Sequence, residues 1–312
     1  MLSCPHVVGA AKLTRRLVAM LMMIAALATS RAAASAAPLM DWPDLLARPM
    51  PAPTREFAYG SAPEQVADLW LPAGKGPFPV VLMVHGGCWR SNVAKLSIMN
   101  YAAEDLRRRG VAVWNIEYRG VDRPGGGFPG TFEDVGAGAD KLAAIAPGYP
   151  LRVGHVVAFG HSAGGHLALW LAARGRIGAG SPLKTSRPLP IAAVVSSGGL
   201  PDLEAVRAGG NCGAGTVERL VGPPNAIRSD VYADTSPAEL GAGRDLEQLI
   251  SGDQDPIAPP AMADAYAAKM KLRGASIVAL TVPDTGHVEL ISPGTPAWAA
   301  TVRTIQRFLL SR

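Results

Sequence analysis

The sequence predicts an α/β protein with a mostly parallel central sheet and helices on both faces. Three observations carry this. Short apolar runs bounded by turn residues alternate with longer segments of helical period from residue 66 to residue 310. The runs Val80 to Val84, Val153 to Phe159 and Ile191 to Ser196 are apolar almost without a break, as strands covered on both faces are. A glycine-bracketed turn at 160–165 joins one of these strands directly to a helix.

A Pro-rich lead-in (Pro38 to Pro53) precedes the first expected strand, Val66 to Leu71, and Val80 to Val84 follows as a buried strand. Ser97 to Arg109 has helical spacing, a basic last turn and a stop at Gly110. Val111 to Tyr118 is the next strand, and Glu133 to Ala146 is a helix closed by Pro147-Gly148. Val153 to Phe159 leads without a gap into a helix over Ala163 to Arg174. Ile191 to Ser196, Leu246 to Ile250 and Ile277 to Val282 complete the strands. Pro259 to Arg273 and Pro296 to Leu310 complete the helices, with proline tolerated in their first turns. Strand–helix–strand order implies right-handed crossovers and a parallel sheet. Residues 198–244, rich in Gly, Pro and Asn, break the rhythm and are expected to form a loop or short cap over one edge. Residues 37–312 are read as one domain.

The net charge of +5 has a local source. Residues 1–36 hold Lys12, Arg15, Arg16 and Arg31 and no acidic residue; without them 26 basic side chains face 25 acidic ones. A body this close to neutral gives no expectation of a nucleic-acid partner. The same segment reads as a secretory signal: a basic start, an apolar run from Leu17 to Leu27 and small residues at Ala34-Ser35-Ala36. The run is shorter than the ~20 residues a membrane span needs, so no span is expected after cleavage. Thr14-Arg15-Arg16 loosely matches a twin-arginine signal. Export to a periplasm or out of the cell follows as the expected localisation. The exported chain would carry two cysteines, Cys88 and Cys212, a count that permits one disulfide.

Gly160-His161-Ser162-Ala163-Gly164 fits G-x-S-x-G, a weak pattern in a chain with 35 glycines. Its context is stronger than its letters. It follows a strand and opens a helix, the setting in which a sharp turn exposes a nucleophilic serine. Ser162 is therefore the candidate nucleophile, with the helix N-terminus behind it favouring nearby negative charge. His85-Gly86-Gly87 follows another strand, where glycine amides can point at a developing oxyanion. Gly87 is the preferred loop donor, Gly86 a second candidate, and Ala163 the donor after the nucleophile. His287 follows the last strand in Pro283-Asp284-Thr285-Gly286-His287 and fits the chain order Ser, Asp, His. After the penultimate strand, Asp253 and Asp255 compete for the acid; Asp255, ahead of Pro256, is preferred, and Asp253 is read as a turn residue.

Together, His85-Gly86-Gly87-Cys88-Trp89, Gly160 to His166, the Gly252 to Asp255 turn and Gly286-His287 resemble the α/β-hydrolase superfamily. Within it they are most similar to the esterase/lipase and kynurenine-formamidase-like branch, over residues 64–311. The resemblance implies the α/β-hydrolase fold and a Ser162–His287–Asp255 triad working through an acyl-enzyme. It implies small carboxylic esters or formyl amides as substrates, and no metal or organic cofactor. It makes Trp89 and His161 candidate substrate contacts, with packing of the loop as the alternative for Trp89. Against this pattern, residues 198–244 make a poor hydrophobic lid, which disfavours long-chain fats. Cys88 beside the oxyanion loop and Cys212 in the irregular segment suggest a disulfide tethering cap to pocket. Two other readings use the same residues: a prolyl-oligopeptidase-like peptidase, disfavoured by the lack of a propeller-sized N-terminal region, and a non-catalytic binding protein, disfavoured by the intact set of parts.

Overall fold

The structure, a computed structural model, describes Met1 and residues 38–241, 246–275 and 277–311. The secretory-signal reading of 1–36 lies outside the described residues, apart from Met1. Leu39 to Arg312 forms one compact unit. No helix among the described residues is long and apolar enough to cross a membrane.

The described strands form one eight-stranded sheet: β1 (Arg55–Ala58), β2 (Val66–Trp70), β3 (Phe78–Val84), β4 (Ala112–Ile116), β5 (Leu151–His161), β6 (Ile191–Ser197), β7 (Leu246–Gly252) and β8 (Ile277–Val282). Their spatial order is β1-β2-β4-β3-β5-β6-β7-β8, with β1 and β2 antiparallel to their neighbours and the other pairs parallel. β3 and β5 sit inside the sheet, and Val80–Val84 and Val156–His161 are buried throughout. Burial on both faces is why these strands read as unbroken apolar runs.

Alternation along each strand feeds two cores. Val80, Leu82 and Val84 pack with Phe132, Val135 and Leu142 of α3 (Gly130–Ile145), Leu167 and Trp170 of α4 (Ala163–Ala173) and Tyr266 of α8 (Pro260–Leu272). Val81 and Met83 face the other way, toward Ala102 and Leu106 of α2 (Asn100–Arg108), Trp298 and Ile305 of α9 (Pro296–Leu310) and Leu45 of α1 (Trp42–Leu46).

The structure differs from the sequence reading in four places. First, α1 lies within the Pro-rich lead-in, where Asp41 and Asp44 form a reciprocal capping box and Pro43 occupies the first turn. Second, β1 is short, polar and at the sheet edge, so it lacks the apolar pattern that reveals a strand. Third, the Ser97–Arg109 helix begins as a tight 3₁₀ turn (Leu96–Met99) before α2. Fourth, residues 198–241 are not a simple loop: they contain α5 (Leu203–Ala208), α6 (Thr216–Val221) and α7 (Pro237–Leu240). They also cover α4, which is apolar around its circumference and needs a second partner besides the sheet. The Trp170 indole N–H donates to Asp234 O at 2.9 Å and His166 Nε2–H to Thr235 O at 2.8 Å. Arg228, paired with Asp234 at 2.7 Å, holds this cover together.

Candidate active site

Four chain positions converge at the carboxyl ends of parallel strands, where open α/β sheets bind ligands. Gly86 and Gly87 follow β3, Ser162 joins β5 to α4, Asp255 follows β7 and His287 follows β8.

Ser162 has φ 56° and ψ −124°, in the left-handed half of backbone space that non-glycine residues avoid. Its N–H is held by Ser197 O at 2.9 Å, and α4 starts at the next residue. The flanking glycines are required by close backbone approach. A Cβ at Gly160 would stand 2.0 Å from Gly164 O, and one at Gly164 would stand 2.1 Å from Val84 O and 2.5 Å from His85 O. Gly164→Ala is therefore expected to destabilise the protein by more than about 2 kcal/mol, since backbone cannot step aside. Thermal unfolding against Gly148→Ala checks this, because a Cβ at Gly148 meets no atom within 4 Å.

Of the two competing carboxylates, Asp255 is the one against His287: its Oδ2 accepts from His287 Nδ1 at 2.6 Å. Its Oδ1 accepts from the amides of Ile257 at 2.8 Å and Ala258 at 3.0 Å. Burial raises the Asp255 carboxyl, but the His287 hydrogen bond and charge, with the two amides, outweigh it and hold the group below the usual carboxylate range. Asp253 instead accepts from Thr285 N at 3.1 Å, fixing the turn that carries His287. Nδ1 is engaged with Asp255, so Nε2 is the ring nitrogen left for the serine. Ser162 Oγ, which forms no hydrogen bond among the described residues, faces the same cavity as His287.

Ser162 and His287 line one cavity of about 300 Å³ with Gly87, Cys88, Trp42, Leu46, Val93, Ala94, Ile98, His161 and Ile257. The amides of Gly86, Gly87 and Ala163 have no acceptor among the described residues. Gly87 has φ 109°, and a Cβ at Gly86 would stand 2.8 Å from Ser162 Cβ. Glycine is thus what lets this loop lie against Ser162. A buttress that the sequence reading missed holds the loop: His85 Nε2 lies 2.7 Å from Glu117 Oε1, and the Tyr118 ring stacks on His85 at 4.4 Å. Both residues directly follow β4, a position that favours site residues.

His161 lines the cavity. Its Nε2–H donates to His287 O at 3.0 Å, which ties it to the backbone of His287, and its buried Nδ1 has no partner. Burial, reinforced by His287, pushes His161 down to about 3 and keeps the ring neutral. Trp89 differs from expectation. Its ring is fully buried in the core and its indole donates to His166 Nδ1 at 3.2 Å; only its loop neighbours reach the cavity. The alternative reading, loop packing, describes Trp89.

No residue of 198–241 lines the cavity. Its outer wall is α1, through Trp42 and Leu46, and Trp42 meets His161 edge-on at 6.2 Å between centroids. Glu289 ties this wall to the loop that carries His287, accepting from Met40 N at 2.5 Å and Gly286 N at 3.1 Å. The signal for α1 was Asp41-Trp42-Pro43-Asp44, a capping-box spacing hidden among prolines. Cys88 and Cys212 form a disulfide with Cα atoms 5.3 Å apart. It joins the glycine loop after β3 to the α5–α6 region and closes a loop of 124 residues' separation, worth about 5 kcal/mol in the chain-entropy picture.

An elbow serine, a histidine–carboxylate pair and unspent loop amides at the ends of a parallel sheet define an α/β-hydrolase. The BD-FAE family model, an α/β-hydrolase esterase family, matches residues 67–270, and the chain belongs to that family. Among solved structures, a carbohydrate esterase from gut microbiota is similar at 20% identity and TM-score 0.67, covering 83% of this chain and 97% of that one. A phosphonate-inhibited esterase B from Lactobacillus rhamnosus is similar at 18% identity and TM-score 0.67, covering 96% of each. A bacterial heroin esterase is similar at 24% identity and TM-score 0.63, covering 82% and 84%. No curated protein matches the chain in sequence.

Proposed function

We propose that this protein is an exported serine carboxylesterase that cleaves small carboxylic esters through an acyl-enzyme. The observation that carries the reading is the 2.6 Å His287–Asp255 bond placed in one cavity with an elbow serine. Ser162 Oγ attacks the ester carbonyl while His287 takes its proton, and Asp255 keeps the imidazole oriented and stabilises it once charged. The Gly87 and Ala163 amides hold the oxyanion, with Gly86 as a further donor. His287 then protonates the leaving alkoxide, and water repeats the cycle on the acyl-Ser162. The phosphonate-inhibited esterase B of the same fold supports covalent attack by the serine. The cavity size and its wall of Trp42, Leu46, Val93 and Ile98 favour short acyl groups over long-chain fats. The disulfide agrees with export, since such bonds persist in oxidising compartments.

The test is hydrolysis of a p-nitrophenyl ester series from C2 to C16 by purified protein beside Ser162→Ala. Turnover that falls with chain length and is lost in the mutant supports the reading; no ester turnover by folded wild type removes it. Trp42→Ala opens the outer wall, so the preference for C2–C4 over C8–C12 esters is expected to fall by about tenfold in relative kcat/KM. An unchanged chain-length profile would show that α1 does not bound the acyl site.

A further inference from the structure

A second cavity, of about 400 Å³, opens near the carboxyl end of β4. Segment 91–100 serves both cavities: Val93, Ala94 and Ile98 face the catalytic one, and Ser91, Lys95, Leu96, Ser97 and Asn100 face the second. The charged lining of the second is Glu56, Glu64, Asp68, Glu117 and Lys95, an excess of negative groups. Glu117 has donors for both oxygens, from His85, Tyr118 N and Leu96 N, and Glu64 faces Arg123 at 3.4 Å. Asp68 has none. It is 5% exposed, yet it accepts no hydrogen bond and joins no ion pair among the described residues.

The polar neighbours compound the shortage. Asn100 spends its amide on Pro51 O, and its Oδ1 is buried without a partner. Asn115, opposite Asp68 in the β2–β4 ladder, spends its amide on Leu96 O, and its Oδ1 is equally unpartnered. Lys95 is exposed and makes no ion pair among the described residues. The Asp68 carboxylate thus faces the cavity with no donor from the described residues, and the buried carbonyl oxygens of Asn100 and Asn115 beside it supply none. Lys95, the cation on the lining, does not pair with Asp68, which leaves that carboxylate open to a positively charged group with several N–H donors.

We propose that this cavity binds a small organic cation, its ammonium or guanidinium group held by the Asp68 carboxylate, with Glu56 adding charge at the mouth. Among the described residues no three His, Cys, Asp or Glu side chains stand together as metal ligands, which favours a multi-donor organic group over a bare ion. Burial, then the charges of Glu56 and Glu117, push Asp68 up to about 6. A cation bound there reverses that bias and holds the carboxylate ionised. Binding is therefore expected to strengthen from pH 5 to pH 7.5, with Glu56, Glu64, Glu117 and Lys95 as the other charges facing the site.

Isothermal titration with agmatine, and with calcium chloride at matched ionic strength, tests this on wild type, Asp68→Asn and Glu56→Gln. The expected result is saturable agmatine binding to wild type, at least tenfold weaker in Asp68→Asn and weaker at pH 5 than at pH 7.5. Should Asp68→Asn fail to fold, the exposed Glu56→Gln decides: weaker binding supports the site, unchanged binding overturns it. Absence of saturable binding to wild type, equal affinity in Asp68→Asn, or binding of calcium in place of agmatine would also overturn it.

Discussion

Ser162→Ala is expected to lower kcat on p-nitrophenyl acetate by roughly 10⁵- to 10⁶-fold, the scale seen when a triad member that acts as a unit is removed. The reason is chemical: among the described residues no other hydroxyl shares the elbow position, the cavity and the adjacent unspent amides of Gly87 and Ala163. His287→Ala should cost about as much, and the double mutant little more, because nucleophile and base work on one proton. Folding should survive, since alanine at 162 keeps the turn and removes only one oxygen. A double mutant whose loss is the product of the two singles would argue against a shared step.

Asp255→Asn should lower kcat by about 10⁴-fold with a small change in KM. Asparagine keeps the shape but offers an N–H where the His287 Nδ1–H needs an acceptor, so the ring turns to the wrong tautomer. Asp253→Asn is the internal control. Its carboxylate accepts from Thr285 N and does not touch His287, so a loss of no more than severalfold is expected. Equal losses at 253 and 255, with both variants folded, would mean that the acid has been misassigned.

The parallel strands were legible because burial on both faces writes itself as unbroken apolar runs, and the elbow because close backbone approach admits only glycine at 160 and 164. Asp255 could be preferred over Asp253 only by its place before Pro256; the choice belongs to a loop geometry that no periodicity records. The walls of the cavity were less legible. Residues 198–244 looked like a cap because they lack periodicity, yet their described part serves as the second partner of α4, a helix apolar on all sides. The true wall, α1, is five residues long, too short for an amphipathic repeat to declare itself. Trp89 misled for a related reason: the residue after a glycine loop can point outward to substrate or inward to the core, and its contact with His166 sets the direction.

The most direct test of the central claim is to react the folded protein with a fluorophosphonate and locate the adduct by peptide mass mapping. The account predicts one stoichiometric adduct on Ser162, formed in parallel with loss of esterase activity and absent from Ser162→Ala. Labelling of another residue, or no labelling of protein that still hydrolyses esters, would contradict it.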